Sequence, residues 1–172
     1  MKQLILGGAR SGKSSLAEKL ANDASQDVVY IATAQAGDAE MTARIRHHQQ
    51  TRPAHWRTVE EPLALAAVAE ENAAPGRVLL VDCLTLWMTN LLLDADDTLA
   101  AETGALLALL PALPGDIIMV SNETGLGVVP ADLLSRRFVD ETGRLHQRLA
   151  SICDRVVFTV AGLPQVIKGD AL

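Results

Sequence analysis

The chain has 172 residues, 49% of them hydrophobic and 21% charged, and a formal net charge of −6. That length suits one domain, and so apolar a composition excludes intrinsic disorder. The acidic balance argues against a nucleic-acid binder, which needs a basic face, but leaves small anionic substrates open.

The first apolar run, residues 2–6, shows no alternation and reads as a strand covered on both faces. It leads into Gly7-Gly-Ala-Arg-Ser-Gly-Lys-Ser14, and helical spacing follows over 14–22. A second strand over 28–32 ends in Thr33-Ala-Gln35. Next comes a helix over 39–48, capped by Asp38, and another over 63–71. The strand 78–81 ends at Asp82 and is followed by helices over 84–93 and 99–110. The strand 117–121 runs into Asn122-Glu-Thr-Gly125, a long helix covers 130–153, and a last strand covers 156–160. Strand alternating with helix implies right-handed crossovers. The predicted fold is therefore α/β: a single P-loop NTPase-type domain over 1–172, with a mostly parallel sheet flanked by helices. Ligands of such a sheet gather at the carboxyl ends of its strands.

Gly7, Gly12, Lys13 and Ser14 match the pattern GxxxxGK[ST] without departure, between a strand and a helix as the mechanism requires. The backbone N–H groups of Gly7, Gly8, Ala9, Arg10, Ser11 and Gly12 can turn inward around a phosphate, at the positive end of the helix that follows. Lys13 is expected to neutralise the β- and γ-phosphates and Ser14 to offer its hydroxyl to Mg²⁺. Arg10 either adds a phosphate contact or points to solvent. Asp82, at the end of a buried strand, is the second expected Mg²⁺ residue; its alternative is a helix cap. No Asn-Lys-x-Asp guanine-reading motif is present, which lowers the reading as a regulatory GTPase.

Cys83 and Cys153 lie far apart and neither forms a CxxC pair, so two reduced thiols are expected rather than a metal site or a disulfide. The apolar run at 4–6 is too short for a signal peptide, and no run reaches the roughly 20 residues of a membrane span. A cytoplasmic location is expected.

Two adjacent histidines close the helix 39–48. Met41, Ile45 and His48 fall at i, i+4 and i+7, so His48 continues the inward stripe while His47 lies about 100° away. A neutral imidazole can attack phosphorus, and Arg44, Arg46 and Arg52 offset phosphate charge. Read by themselves, the two histidines also fit a frayed helix end.

Five further stretches extend the pattern: Tyr30-Ile-Ala-Thr33; Arg44-Ile-x-His-His48; Arg52-Pro-Ala-His-Trp-Arg-Thr58; Asp82-Cys-Leu-Thr85; and Ser121-Asn-Glu-Thr-Gly-Leu-Gly127. Together with the phosphate loop they resemble the bifunctional adenosylcobinamide kinase/adenosylcobinamide-phosphate guanylyltransferase family of cobalamin biosynthesis, over nearly the whole chain. The resemblance implies phosphorylation of adenosylcobinamide by ATP or GTP, then transfer of GMP from GTP through a covalent GMP-histidine to adenosylcobinamide phosphate. It aligns that histidine with His48. It also implies nucleotide contacts at residues 7–14, at Thr33, Ala34 and Gln35, at Gln49, Gln50, Thr51 and Arg52, and at Glu60 and Asp82, in a homotrimer. Lys13 and His48 are the expected catalytic residues. Asn122 and Glu123 are read as corrinoid or metal contacts, or as caps of the following turn, and His146 as a solvated or subunit-facing residue. Two alternatives are a single-activity kinase of another small alcohol and a non-catalytic nucleotide-binding module.

Overall fold

The computed structural model of the chain describes residues 1–24, 27–35, 53–95 and 97–172. Its elements are β1 (Lys2–Gly7), α1 (Lys13–Asp23), β2 (Asp27–Ala32), β3 (Arg57–Glu60), α2 (Leu65–Asn72), β4 (Arg77–Asp82), α3 (Leu84–Leu93), α4 (Thr98–Leu109), β5 (Asp116–Asn122), α5 (Leu133–Ile152), β6 (Arg155–Val160) and β7 (Leu163–Lys168). They form one seven-stranded sheet in the order β3-β2-β4-β5-β1-β6-β7. All neighbouring pairs are parallel except β6 and β7.

The apolar runs do not alternate because the sheet is covered on both sides. Successive strand residues point to opposite faces, and the two sets enter different cores. Leu4, Leu6, Val29, Ile31, Leu79, Val81, Ile117 and Met119 pack with α2, α3, α4 and α5. Ile5, Val28, Tyr30, Val78, Leu80, Ile118 and Val120 pack with Ala17 and Ala21 of α1 and with Trp56. Trp87 is fully buried in the larger core, and its indole N–H donates to the Leu63 carbonyl at 2.7 Å.

The five predicted strands and all predicted helices within the described residues are present, with ends shifted by at most three residues. The long helix starts at Leu133 rather than at Pro130, because Asp132 caps it by accepting from the Ser135 amide at 2.8 Å. The helix expected over 39–48 lies outside the described residues. Two strands are additions, and both are sheet edges. β3 is four residues long and mostly exposed. β7 is nearly all exposed and carries Pro164, which an edge strand tolerates because it has no ladder hydrogen bond to lose. Between β6 and β7, Ala161 and Gly162 take φ values of 50° and 80°. Two positive φ values in a two-residue loop are those of the type I′ turn, whose twist suits a hairpin.

Candidate active site

The phosphate loop leaves β1 at the carboxyl edge of the sheet. Gly12 caps α1 in the left-handed region at φ 96°, where only glycine is unstrained. Gly7, at φ 154°, is held by space as well: a Cβ there would lie 2.3 Å from the Thr159 carbonyl oxygen. The Ser11 amide donates to the Gly8 carbonyl at 3.2 Å, and the Ser11 carbonyl accepts from the Gly162 amide at 2.9 Å. The hairpin tip therefore braces the loop from behind. Arg10 stands at its crest with φ 55° and an exposed side chain.

Lys13 is buried under this loop, and its ammonium donates to the Gly8 carbonyl at 2.6 Å. Desolvation lowers its pKa, with Cys83 and Asp82 opposing the shift. The carboxylate that ends β4 thus acts electrostatically on the lysine that opens α1, although β5 lies between β4 and β1 in the sheet. Ser14 and Asp82 are both half-buried. Hydroxyl and carboxylate oxygens are the hard donors Mg²⁺ takes, and that ion needs only one or two protein carboxylates beside substrate phosphates. No cluster of three or more His, Cys, Asp or Glu side chains forms a metal cage among the described residues.

The end of β2 is tied to the end of β4. The buried Thr33 hydroxyl donates to the Cys83 carbonyl at 2.7 Å and accepts from the Cys83 amide at 3.0 Å. The Asn90 side-chain amide, from α3, donates to the carbonyls of Thr33 at 2.8 Å and Pro62 at 3.0 Å. Burial, foremost, raises the Cys83 thiol pKa to about 11, so it is a neutral thiol and not a nucleophile.

The end of β5 lies directly beside the loop, with Asn122 in register with Gly7. The Glu123 amide donates to the Gly7 carbonyl at 3.0 Å. The Asn122 amide donates to the Thr85 hydroxyl at 2.7 Å, and the Glu123 carboxylate accepts from the Gly125 amide at 2.5 Å. His146 reaches this point from α5. It is 6% exposed, so the solvated or subunit-facing reading is corrected. The ring sits on the inward stripe that also carries Thr142, Leu145 and Leu149, and its Nε2 lies 2.8 Å from the Ser121 hydroxyl.

A family model described as cobinamide kinase / cobinamide phosphate guanyltransferase matches residues 3–167. The chain belongs to this family. Three curated relatives bear names of the same kind. The bifunctional adenosylcobalamin biosynthesis protein CobP of Pseudomonas aeruginosa is 65% identical, with all of both chains covered. The proteins named CobU of Escherichia coli and Salmonella typhimurium are 42% and 41% identical, each alignment covering 98% of this chain and all of the relative. Among solved structures, a Pyrococcus horikoshii protein aligns with TM-score 0.58 at 8% identity, over 99% of this chain and 87% of its own. The RadB recombinase aligns with TM-score 0.52 at 12% identity, over 91% and 73%. At such identities these likenesses speak for the P-loop NTPase fold alone.

In this cobinamide kinase/guanyltransferase family member, the structure brings residues 7–14, Thr33 and Asp82 to one edge of the sheet. Ala34 and Gln35 continue outward from Thr33, half-buried and exposed. Glu60 ends β3, four strands from β1, or roughly 19 Å at about 4.8 Å per strand. Glu60 and the phosphate loop therefore address different parts of any shared ligand. His48, Gln49, Gln50, Thr51 and Arg52 lie outside the described residues. Sequence reasoning missed the hairpin tip at Gly162 and the buried His146. The first was signalled by Ala161-Gly162 between two apolar stretches, the second by its place beside Leu145 and Leu149.

Proposed function

We propose that the chain phosphorylates adenosylcobinamide with ATP or GTP and then transfers GMP from GTP, through a covalent intermediate on His48, to adenosylcobinamide phosphate, giving adenosyl-GDP-cobinamide. One observation carries the reading: an intact phosphate loop with its lysine lodged beneath it, in a chain that the family model matches almost from end to end.

In the kinase step the substrate hydroxyl oxygen bonds to the γ-phosphorus, the bond to the departing nucleoside diphosphate breaks, and the hydroxyl proton is released. Lys13 and the loop amides hold the phosphates in line and offset charge that spreads over their oxygens. Ser14 and Asp82 would hold Mg²⁺, which supplies further neutralisation of the phosphate charge. In the transferase step a ring nitrogen of His48 bonds to the α-phosphorus of GTP as the bond to pyrophosphate breaks. A phosphate oxygen of adenosylcobinamide phosphate then displaces the imidazole. Splitting the transfer in this way means pyrophosphate and the bulky corrinoid need not occupy the site together. Residues 7–14, 33–35, 49–52, Glu60 and Asp82 form the nucleotide contacts.

The finer expectations belong to the same proposal. The exposed apolar residues Leu126, Val128, Val129 and Leu133 are surface that self-association would cover, in keeping with the homotrimer that is part of this proposal. Use of nucleoside triphosphates and two unpaired cysteines are in keeping with a cytoplasmic enzyme. Among the described residues no helix is long and apolar enough to cross a membrane.

The test is a mass spectrum of the protein after incubation with GTP and Mg²⁺. The expected result is a gain of one GMP, lost in His48→Ala while that variant keeps its kinase turnover. An adduct that survives in His48→Ala and disappears in His47→Ala would reassign the nucleophile. Equal loss of both activities in His48→Ala would make it an ordering residue.

A further inference from the structure

The buried His146 and Ser121 and the half-buried Glu123 form a constellation that neither transfer step uses. The His146 ring is held with Nε2 at 2.8 Å from the Ser121 hydroxyl and Nδ1 at 3.8 Å from the second carboxylate oxygen of Glu123. That second distance is beyond a hydrogen bond. Nδ1 is buried and has no hydrogen-bond partner among the described residues. A serine, a histidine and a carboxylate in this order suggest a nucleophile with its base, but Ser121 is 0% exposed. No substrate atom reaches its oxygen, so attack by Ser121 is excluded.

The hydrogen-bond directions indicate another role. The Thr85 hydroxyl accepts from the Asn122 amide at 2.7 Å and lies 3.5 Å from the Ser121 hydroxyl. The negatively charged Glu123 carboxylate faces Nδ1 at 3.8 Å, so a neutral ring is favoured with its proton on that nitrogen and with Nε2 accepting from the Ser121 hydroxyl. Glu123 is meanwhile fastened at both neighbours: its amide to the Gly7 carbonyl at 3.0 Å, and its first carboxylate oxygen to the Gly125 amide at 2.5 Å. An inward movement of the Glu123 carboxylate by roughly 1 Å would close the Nδ1–H···O bond and draw the turn 122–125 toward α5.

We infer that His146 is a positioning residue: through Ser121 and Glu123 it holds the turn at the end of β5 in register with the first glycine of the phosphate loop during phosphoryl transfer. The inference rests on the reading that transfer occurs at this loop. Misplacement of the loop by a fraction of an ångström affects the reaction more than it affects nucleotide affinity, since alignment matters most in the transition state.

The test compares wild type, His146→Phe, His146→Gln, Glu123→Ala and the double variant His146→Phe/Glu123→Ala in adenosylcobinamide phosphorylation. His146→Phe and Glu123→Ala should each lower kcat by about tenfold or more, with KM for the nucleotide within about twofold of wild type. The double variant should lose no more than the worse single. His146→Gln, whose amide can both accept from Ser121 and donate to Glu123, should recover most of the rate. Multiplying losses in the double variant, or a lowered melting temperature with unchanged kcat, would overturn the inference. A second readout does not depend on turnover: the ring-nitrogen shifts of His146, assigned by their disappearance in His146→Phe, should be those of the Nδ1–H tautomer. An Nε2–H tautomer would sink the inference even in a fully active enzyme. A wild-type chain that shows this Nδ1–H signature but no phosphoryl transfer would instead count against the proposed function.

Discussion

The Gly162 amide donates to the Ser11 carbonyl at 2.9 Å, so the tip of an edge hairpin is fastened to the loop that holds phosphate. Gly12 lies against the same tip: a Cβ there would come 3.2 Å from the Gly162 Cα, on a backbone already at φ 96°. Gly12→Ala should therefore push loop and hairpin apart and strain the start of α1. Titration with a fluorescent nucleotide is expected to show at least about tenfold weaker binding, a loss of roughly 1.4 kcal/mol. Unchanged affinity would mean that the loop does not need this close approach.

Among the described residues, Lys13 is the one cation buried beneath the loop. Lys13→Ala should lower both the kinase and the guanylyltransferase rates by about two to three orders of magnitude, as for removal of one preorganised charge from a transition state. Parallel assays of the two reactions check this. A transferase that runs normally in Lys13→Ala would place its GTP away from the loop.

Thr33 holds the ends of β2 and β4 together by pairing with both backbone groups of Cys83. Thr33→Val keeps the shape and removes the hydroxyl, leaving a buried N–H and C=O without that partner. Urea denaturation should show a loss of about 1–3 kcal/mol. Asp82 adjoins the loosened peptide, so the Mg²⁺ dependence of turnover should weaken as well. Full stability in Thr33→Val would show that the two strand ends are held by β pairing alone.

His146 predicts a pH dependence of stability. Desolvation lowers its pKa below the usual value, with Glu123 opposing the shift. The folded state thus binds a proton less readily than the unfolded state does. Its full stability is present above the ordinary imidazole value of about 6.5. It declines as pH falls below that value, until the depressed folded pKa is reached. The urea midpoint should fall between about pH 7.5 and about pH 5.5, and fall less in His146→Gln. The same decline in both proteins would assign it to other groups.

The phosphate loop was readable because its chemistry is local. Gly12 is needed for a left-handed cap, Lys13 and Ser14 follow at fixed offsets, and the flanking strand and helix announce themselves by apolar spacing within a few residues. The two edge strands were not readable. Arg57–Glu60 and Leu163–Lys168 bury almost no side chains, so their strand state comes from backbone pairing with a neighbour, and hydrophobic pattern carries little trace of it. His146 stood between these cases. Its helix was clear, but its polar neighbours Arg144 and Arg148 suggest a solvated face; both are exposed and it is buried.

The linear chain determined which chemical groups are available and which strand end carries each: loop glycines and lysine after β1, threonine after β2, aspartate at the end of β4, Asn-Glu at the end of β5. It did so because strand, turn and helix follow from contacts a few residues apart. The tertiary structure alone decided who stands next to whom. It inserted β5 between β1 and β4, set Asn122 against Gly7, turned His146 onto Ser121 from 25 residues away, and brought Gly162 behind Ser11 from the far end of the chain. Those neighbours are fixed by long-range strand pairing and by the burial of two separate sheet faces, terms that no short window of residues contains.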